Sequence, residues 1–370
     1  MYRFLLACVL FLGIMITTAY SQELSCDNDS DEPALLTVGL VFPSGTLITP
    51  NRIEYYEGAV GMMDTLNRCG DEGSVRVDWV HAFAEDYEQA VDVVHELVAE
   101  HDVKLIIGGG SSAVSTGLAD AVRELDIILW ETSEGEPTDG QNTFSPTSSA
   151  YQRGLTVGDF IRSTYGDDAK VALIFNEREQ ASNVARGIRN QLDDQITIEE
   201  HYEEYLSTRE IAGNIRQQKI DVVVLVAFQV DADYLWRAMR QADANVRGWI
   251  NVGDPGYRYG LCDRLGDTDG LITIHRFAVT NPEHAIFHEF ARYYQTEFGR
   301  YPGERAHLSA SGVYMLMRYV LPQLENEPTV ETIRQAMYQA TADIGDGMMG
   351  EGLQIDAENG SNTRASLVVQ

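Results

Sequence analysis

Between residues 103 and 125 the sequence sets Gly108-Gly109-Gly110-Ser111-Ser112 between an apolar run ending at Ile107 and an amphipathic run carrying Val114, Leu118, Val122 and Leu125. Glycines let a backbone come close to a bound group. Hydroxyls at the start of a helix add donors beside unpaired amide N–H groups and the positive end of the helix dipole. The combination can hold a carboxylate, with Ser111 and Ser112 as its contacts; an N-cap on a flexible turn would use the same residues. Neither the glycine spacing nor the ending matches a dinucleotide fingerprint or a phosphate loop. Trp130, Glu131, Thr132 and Ser133 follow a second apolar run, and Gly253-Asp254-Pro255-Gly256 follow a third at 248–252. An acid in such a place can hold an ammonium group. Facing the hydroxyl-rich turn across a cleft, it would complete the recognition of a zwitterion, and standing alone it would be a solvated loop residue.

Enzymatic chemistry lacks its parts. No Gly-x-Ser-x-Gly elbow is present, and no histidine is marked as partner to a nucleophile. His284 and His288 are spaced four apart on an expected helix but lack the carboxylate-bearing metalloprotease motif, so a solvated face is the expectation. The adjacent acids Glu199-Glu200 and Glu203-Glu204 read as a solvated strand and loop edge, since adjacency does not make a general acid and base. The expectation is a binding protein with no cofactor and no metal.

These turns need elements to position them. Apolar runs that read as strands occupy 36–42, 75–79, 103–107, 126–130, 170–175, 221–228, 248–252 and 270–274. Helical spacing lies between most of them. Ile53, Tyr56, Val60, Met63 and Leu66 form one predicted face; Tyr87, Ala90, Val91, Val94, Leu97 and Val98 form the next. Continuous apolar strands alternating with helices imply α/β architecture with parallel sheets covered on both faces. The length after a leader suits two domains. In such sheets ligands sit beyond the carboxyl ends of the strands, where the turns above fall.

At the amino terminus, Arg3 precedes an apolar run at 4–16 and the small-residue stretch Thr17-Thr18-Ala19-Tyr20-Ser21, so 1–21 reads as a secretory signal peptide. The expected location is the periplasm. The chain holds 57 acidic against 27 basic residues, a formal net charge of −30, which excludes nucleic acid and anionic membrane surfaces as partners. Beyond the leader remain Cys26, Cys69 and Cys262; a Cys26–Cys69 disulfide and three isolated thiols are both open readings.

Taken in order, several segments carry a resemblance over about 36–370. Val38-Gly-Leu-Val-Phe-Pro-Ser-Gly45, the Gly108 to Ser112 turn, Phe144-Ser-Pro-Thr-Ser-Ser-Ala-Tyr-Gln152, the aromatic stretch 287–302, and the glycine-rich 345–352 leading to Leu353-Gln-Ile-Asp356 and Asn359-Gly360 resemble the leucine/isoleucine/valine-binding family of ABC-transporter substrate-binding proteins, which are type I periplasmic binding proteins. The resemblance implies two Rossmann-like lobes with parallel central sheets, joined by a three-strand hinge, with the ligand in the cleft. It implies one lobe at 34–147 and 275–348, and the other at 148–274 and 349–370. Carried over residue by residue, it implies that Ser111 or Ser112 takes a ligand carboxylate, that Thr132 and Ser133 supplement it, that Asp254 pairs with an ammonium group, and that Phe228 and Gln229 line the cleft. The implied partners are a small amino-acid-like solute and a membrane permease, with the protein a monomer. A free-standing sensor of the same fold is the alternative.

Three departures from the family pattern bear on specificity. Arg178-Glu-Gln-Ala-Ser182 stands where many members carry Tyr-Gly, Trp130-Glu131 stands where many carry Ser, Pro or Ala, and Ala310-Ser311-Gly312 replaces Tyr-Asp-Ala. The extra acid Glu131 has two readings: contact with a second positive or hydrogen-bonding group on the solute, such as an amide, a urea-like compound or a polyamine, or pairing inside the protein.

Overall fold

The structure is a computed structural model that describes residues 35–45, 50–69, 76–133, 138–203, 205–227, 229–252, 271–275, 285–324, 328–348, 350–364 and 368–369. Two parallel sheets organise it. The first runs β2-β1-β3-β4-β5, from β1 (Thr37–Phe42), β2 (Asp78–Phe83), β3 (Leu105–Gly108), β4 (Ile128–Glu131) and β5 (Thr143–Phe144). Between its strands lie α1 (Glu54–Cys69), α2 (Tyr87–His101) and α3 (Ser112–Leu125). Strand alternation sends Val38, Leu40 and Phe42 of β1 to one face, where α1 packs, and Val41 to the other, under α2 and α3.

The second sheet runs β13-β10-β9-β8-β6-β7. Its strands are β6 (Val171–Asn176), β7 (Ile196–Tyr202), β8 (Val222–Val226), β9 (Gly248–Val252), β10 (Leu271–His275) and the antiparallel β13 (Val368–Val369). Helices α4 (Ala150–Tyr165) and α5 (Glu179–Leu192) cover one face; α6 (Thr208–Gln218) and α7 (Gln229–Gln241) cover the other. All five residues of β8 are buried, as a valine-rich strand sandwiched between helices must be.

After β10 the chain returns to the first lobe. Helices α8 (Ala285–Phe298), α9 (Glu304–Met315) and α10 (Val330–Gln339) join the cluster that contains β1 and α1. A short ladder of β11 (Thr341–Ala342) with β12 (Leu353–Gln354) follows, before the chain enters the second sheet at β13. Leu353 and Ile355 pack into the first-lobe cluster.

The first and third passages are tied together. Ser145 bridges Ser361, and Asn362 Nδ2 donates to Pro146 O and Gly352 O, both at 2.8 Å. Asn362 Oδ1 accepts from Gln354 N and Arg364 N, each at 2.9 Å. With every polar group of its amide used, this buried asparagine fixes two chain crossings to one another.

Several expectations shift. The strand expected at 75–79 is β2, four residues of it later, because it is a polar edge strand and offers no continuous apolar run. Of the expected α1 face Met63 and Leu66 are buried, joined by Tyr55, Ala59 and Met62, while Tyr56 and Val60 are only partly buried, because α8 and α9 also pack on this helix and turn its buried arc. Strand β7 lies at the sheet edge and includes Glu199 and Glu200. Cys69 at the end of α1 is disulfide-bonded; Cys26 and Cys262 lie outside the described residues. No described helix is long and apolar enough to cross a membrane.

Candidate ligand-binding site

In the first sheet the chain leaves β1 toward β2 on one side and then crosses to β3 on the other, so the topological switch point lies between β1 and β3. Pro43-Ser44-Gly45 and Gly108 to Ser112 leave from those two strand ends. The turn after β1 is held by the end of β2: Ser44 N and Oγ donate to Glu85 Oε1 at 2.9 and 2.6 Å. The turn after β3 places Gly109 at φ +129° and Gly110 at φ +104°, values open to glycine. Ser111 then caps α3, its Oγ accepting from Val114 N at 3.4 Å, while Ser112 is exposed at the first helical position.

Glu131 lies inside the lobe. Its side chain is wholly buried, and Oε1 accepts from Ser115 Oγ and Ser133 N, each at 3.2 Å, and from Ser133 Oγ in a short bond. Ser133 Oγ accepts from Gly110 N at 2.6 Å, so its own proton is committed to Glu131. Ser115 belongs to the first turns of α3, where the helix dipole favours a negative charge. A Cβ on Gly109 would fall 2.2 Å from Glu131 Oε1 and 2.4 Å from Ser133 Oγ. The glycine therefore makes room for the protein's own carboxylate, and the internal reading of Glu131 is the one its contacts support.

The neighbouring departures from the family pattern are linked. Trp130 is fully buried and its Nε1 donates to Gly312 O at 2.8 Å. A Cβ on Gly312 would meet Thr132 Cγ2 at 2.7 Å. Thr132 Oγ1 lies 3.3 Å from Ser309 Oγ, and Thr132 N donates to Gly108 O at 3.1 Å. Trp130 and Gly312 thus form a packing pair between β4 and α9, and neither they nor the buried Thr132 and Ser133 are open to solvent.

In the second lobe the same topology puts the switch point between β6 and β8. Asn176 closes β6, with Oδ1 accepting from Arg178 N at 3.0 Å and Nδ2 donating to Glu203 O at 3.1 Å. Tyr202 at the end of β7 donates to Asp231 Oδ2 at 2.7 Å in the first turn of α7; burial and then this carboxylate push its phenol well above the ordinary value. Gln229 opens α7. Phe228 and Asp254 lie outside the described residues, as does His284, while His288 lies on α8. Among the described residues no group of three or more histidine, cysteine or acidic side chains is placed to hold a metal.

Sequence reasoning did not find Ser115, Ser309, Glu85 or Asn251. A serine in a helix, or an asparagine within an apolar strand, carries a faint signal, namely a polar residue where the burial pattern calls for an apolar one.

A family model described as periplasmic binding protein matches residues 37–370. Among curated proteins no sequence relative matches the chain. Solved structures do. A putative branched-chain amino acid ABC transporter protein from Rhodospirillum rubrum has a TM-score of 0.74 at 18% identity, covering 91% of this chain and 97% of its own. The isoleucine complex of the branched-chain amino acid transporter substrate-binding protein LivJ from Streptococcus pneumoniae has a TM-score of 0.63 at 15% identity, covering 88% and 93%. A solute-binding protein of R. palustris in complex with benzoate has a TM-score of 0.62 at 15% identity, covering 91% and 92%. At these identities the likeness is one of fold: two α/β lobes built on parallel sheets.

Proposed function

The chain belongs to the periplasmic binding protein family, and on that premise we propose that it is the extracytoplasmic solute-binding component of an ABC importer. It takes up an amino acid or a related small polar nitrogen compound in the cleft, closes by hinge motion, and delivers the solute to a permease from the periplasm. The observation that carries this reading is the start of α3. Ser111 caps the helix, Ser112 stands exposed beside it, and Gly109 and Gly110 hold the preceding backbone at the switch point of the first sheet. The tied crossings around Asn362 support the hinge, since they keep two linking segments in register while leaving each lobe its own core.

Glu131 does not compete with this use of the turn, because its acceptor oxygen faces Ser115 and Ser133 inside the lobe. The exposed rim keeps the first amide groups of α3 for a solute oxygen. Replacing Ser111 and Ser112 together by alanine should weaken a solute that presents a carboxylate or carbonyl at least tenfold, read by titration calorimetry. A double variant that binds like the wild type would leave the turn as a helix cap alone.

A further inference from the structure

Three asparagines are buried among the described residues, and two of them are fully explained. Asn362 uses every polar group in tying the crossings, and Asn176 is satisfied by Arg178 N and Glu203 O. Asn251 is different. It is 1% exposed, and among the described residues neither Nδ2 nor Oδ1 has a hydrogen-bond partner. Its register partners are Leu225 on β8 and Thr273 on β10, and two residues before it on the same face is Trp249. An amide at this position calls for a partner that the described residues do not supply.

Its place in the lobe says where that partner comes from. Asn251 is the penultimate residue of β9, which pairs with β8, one of the two strands that flank the second lobe's switch point. Trp249 meets Trp236 of α7 edge to face at 5.3 Å, which sets the two elements level at that rung. Two residues along a strand rise about 6.6 Å, and four residues along a helix rise about 6 Å. Asn251 is therefore level with the small, buried Ala232 in the first turn of α7, at the end of the sheet that faces the cleft.

We propose that Asn251 is the second lobe's contact for a planar carboxamide or ureido group on the solute. Its Nδ2 donates to the carbonyl of that group, and its Oδ1 accepts from the N–H. A carboxylate would leave Oδ1 without a donor, and an ammonium group would leave Nδ2 without an acceptor, so the paired donor and acceptor select an amide over either. The inference rests on the solute-binding reading above and narrows the class of compound it takes.

The test is titration calorimetry of the full chain with acetamide, urea, L-asparagine, L-glutamine, L-leucine and benzoate, on the wild type and on the variants N251L and N251S, with melting curves of each protein without ligand. Expected is binding of at least one carboxamide or ureido probe to the wild type, weakened tenfold or more in both variants. N251L without ligand should melt above the wild type, since it replaces an unsatisfied buried amide by a side chain of similar size. Unchanged affinity in both variants overturns the proposal and leaves Asn251 solvated by an internal water. Binding of only L-leucine or benzoate overturns it too, while the solute-binding reading stands. No binding of any probe to the wild type removes both.

Discussion

Removing the Glu131 side chain is the perturbation whose consequence the structure specifies most fully. In E131A the donors Ser115 Oγ, Ser133 N and Ser133 Oγ lose the Glu131 acceptor in a place with no access to water, while the bond from Gly110 N to Ser133 Oγ remains. Each orphaned donor costs about 1–3 kcal/mol, less what local relaxation recovers, so the expected loss is about 3–5 kcal/mol. In a lobe of this size that lowers the melting temperature by roughly 8–15 °C. E131Q keeps the acceptor oxygen and the shape and should cost about 1–2 kcal/mol. Urea unfolding of the wild type and both variants, followed by circular dichroism, measures the ordering. An E131A protein that unfolds within about 1 kcal/mol of the wild type, or an E131Q protein that suffers as much as E131A, would refute the internal role. If E131A kept wild-type stability and lost solute binding, Glu131 would belong to the ligand.

Two further outcomes follow from the same lobe. Burial pushes the Asp139 carboxyl up, but Arg123 and the backbone N–H groups of Gln141, Thr143 and Asn142 outweigh it and hold it down to about 2. A depressed carboxylate stabilises above its usual value near 3.8 and loses that contribution as pH falls toward about 2, so the wild type should lose about 1–2 kcal/mol over this window, allowing for partial exposure, and D139N should lack that part of the decline in urea midpoints measured from pH 5 to 2.5. G109A should cost about 3 kcal/mol or more, since its Cβ would sit 2.2 Å from Glu131 Oε1 at a backbone angle that suits glycine. Combining G109A with E131A should cost less than the sum, and strict additivity in a double-mutant cycle would separate the two residues.

Much of the architecture is legible in the sequence, and the reason lies in burial. Strand β9 occupies the residues expected for it, and β8 is a run of five buried apolar residues, because a central strand covered on both faces must be apolar throughout. The edge strands β2 and β7 alternate with solvent and blur into their surroundings. What the turns do is less legible, since it depends on partners distant along the chain. Ser115 is 16 residues from Glu131, Ser309 is 177 from Thr132, and Gly312 is 182 from Trp130. A pattern read locally shows a charged residue after a strand. Only the fold shows that the glycines before α3 shelter it.

The central claim is that the chain binds a small nitrogen-bearing solute by closing its two lobes. Small-angle scattering on the purified protein, with and without each compound of an amino acid, amide and urea panel, tests it most directly, with melting curves on the same samples. The account predicts that one chemical class both reduces the radius of gyration and raises the melting temperature in a saturable manner. A protein whose scattering and melting stay unchanged across the whole panel would contradict it.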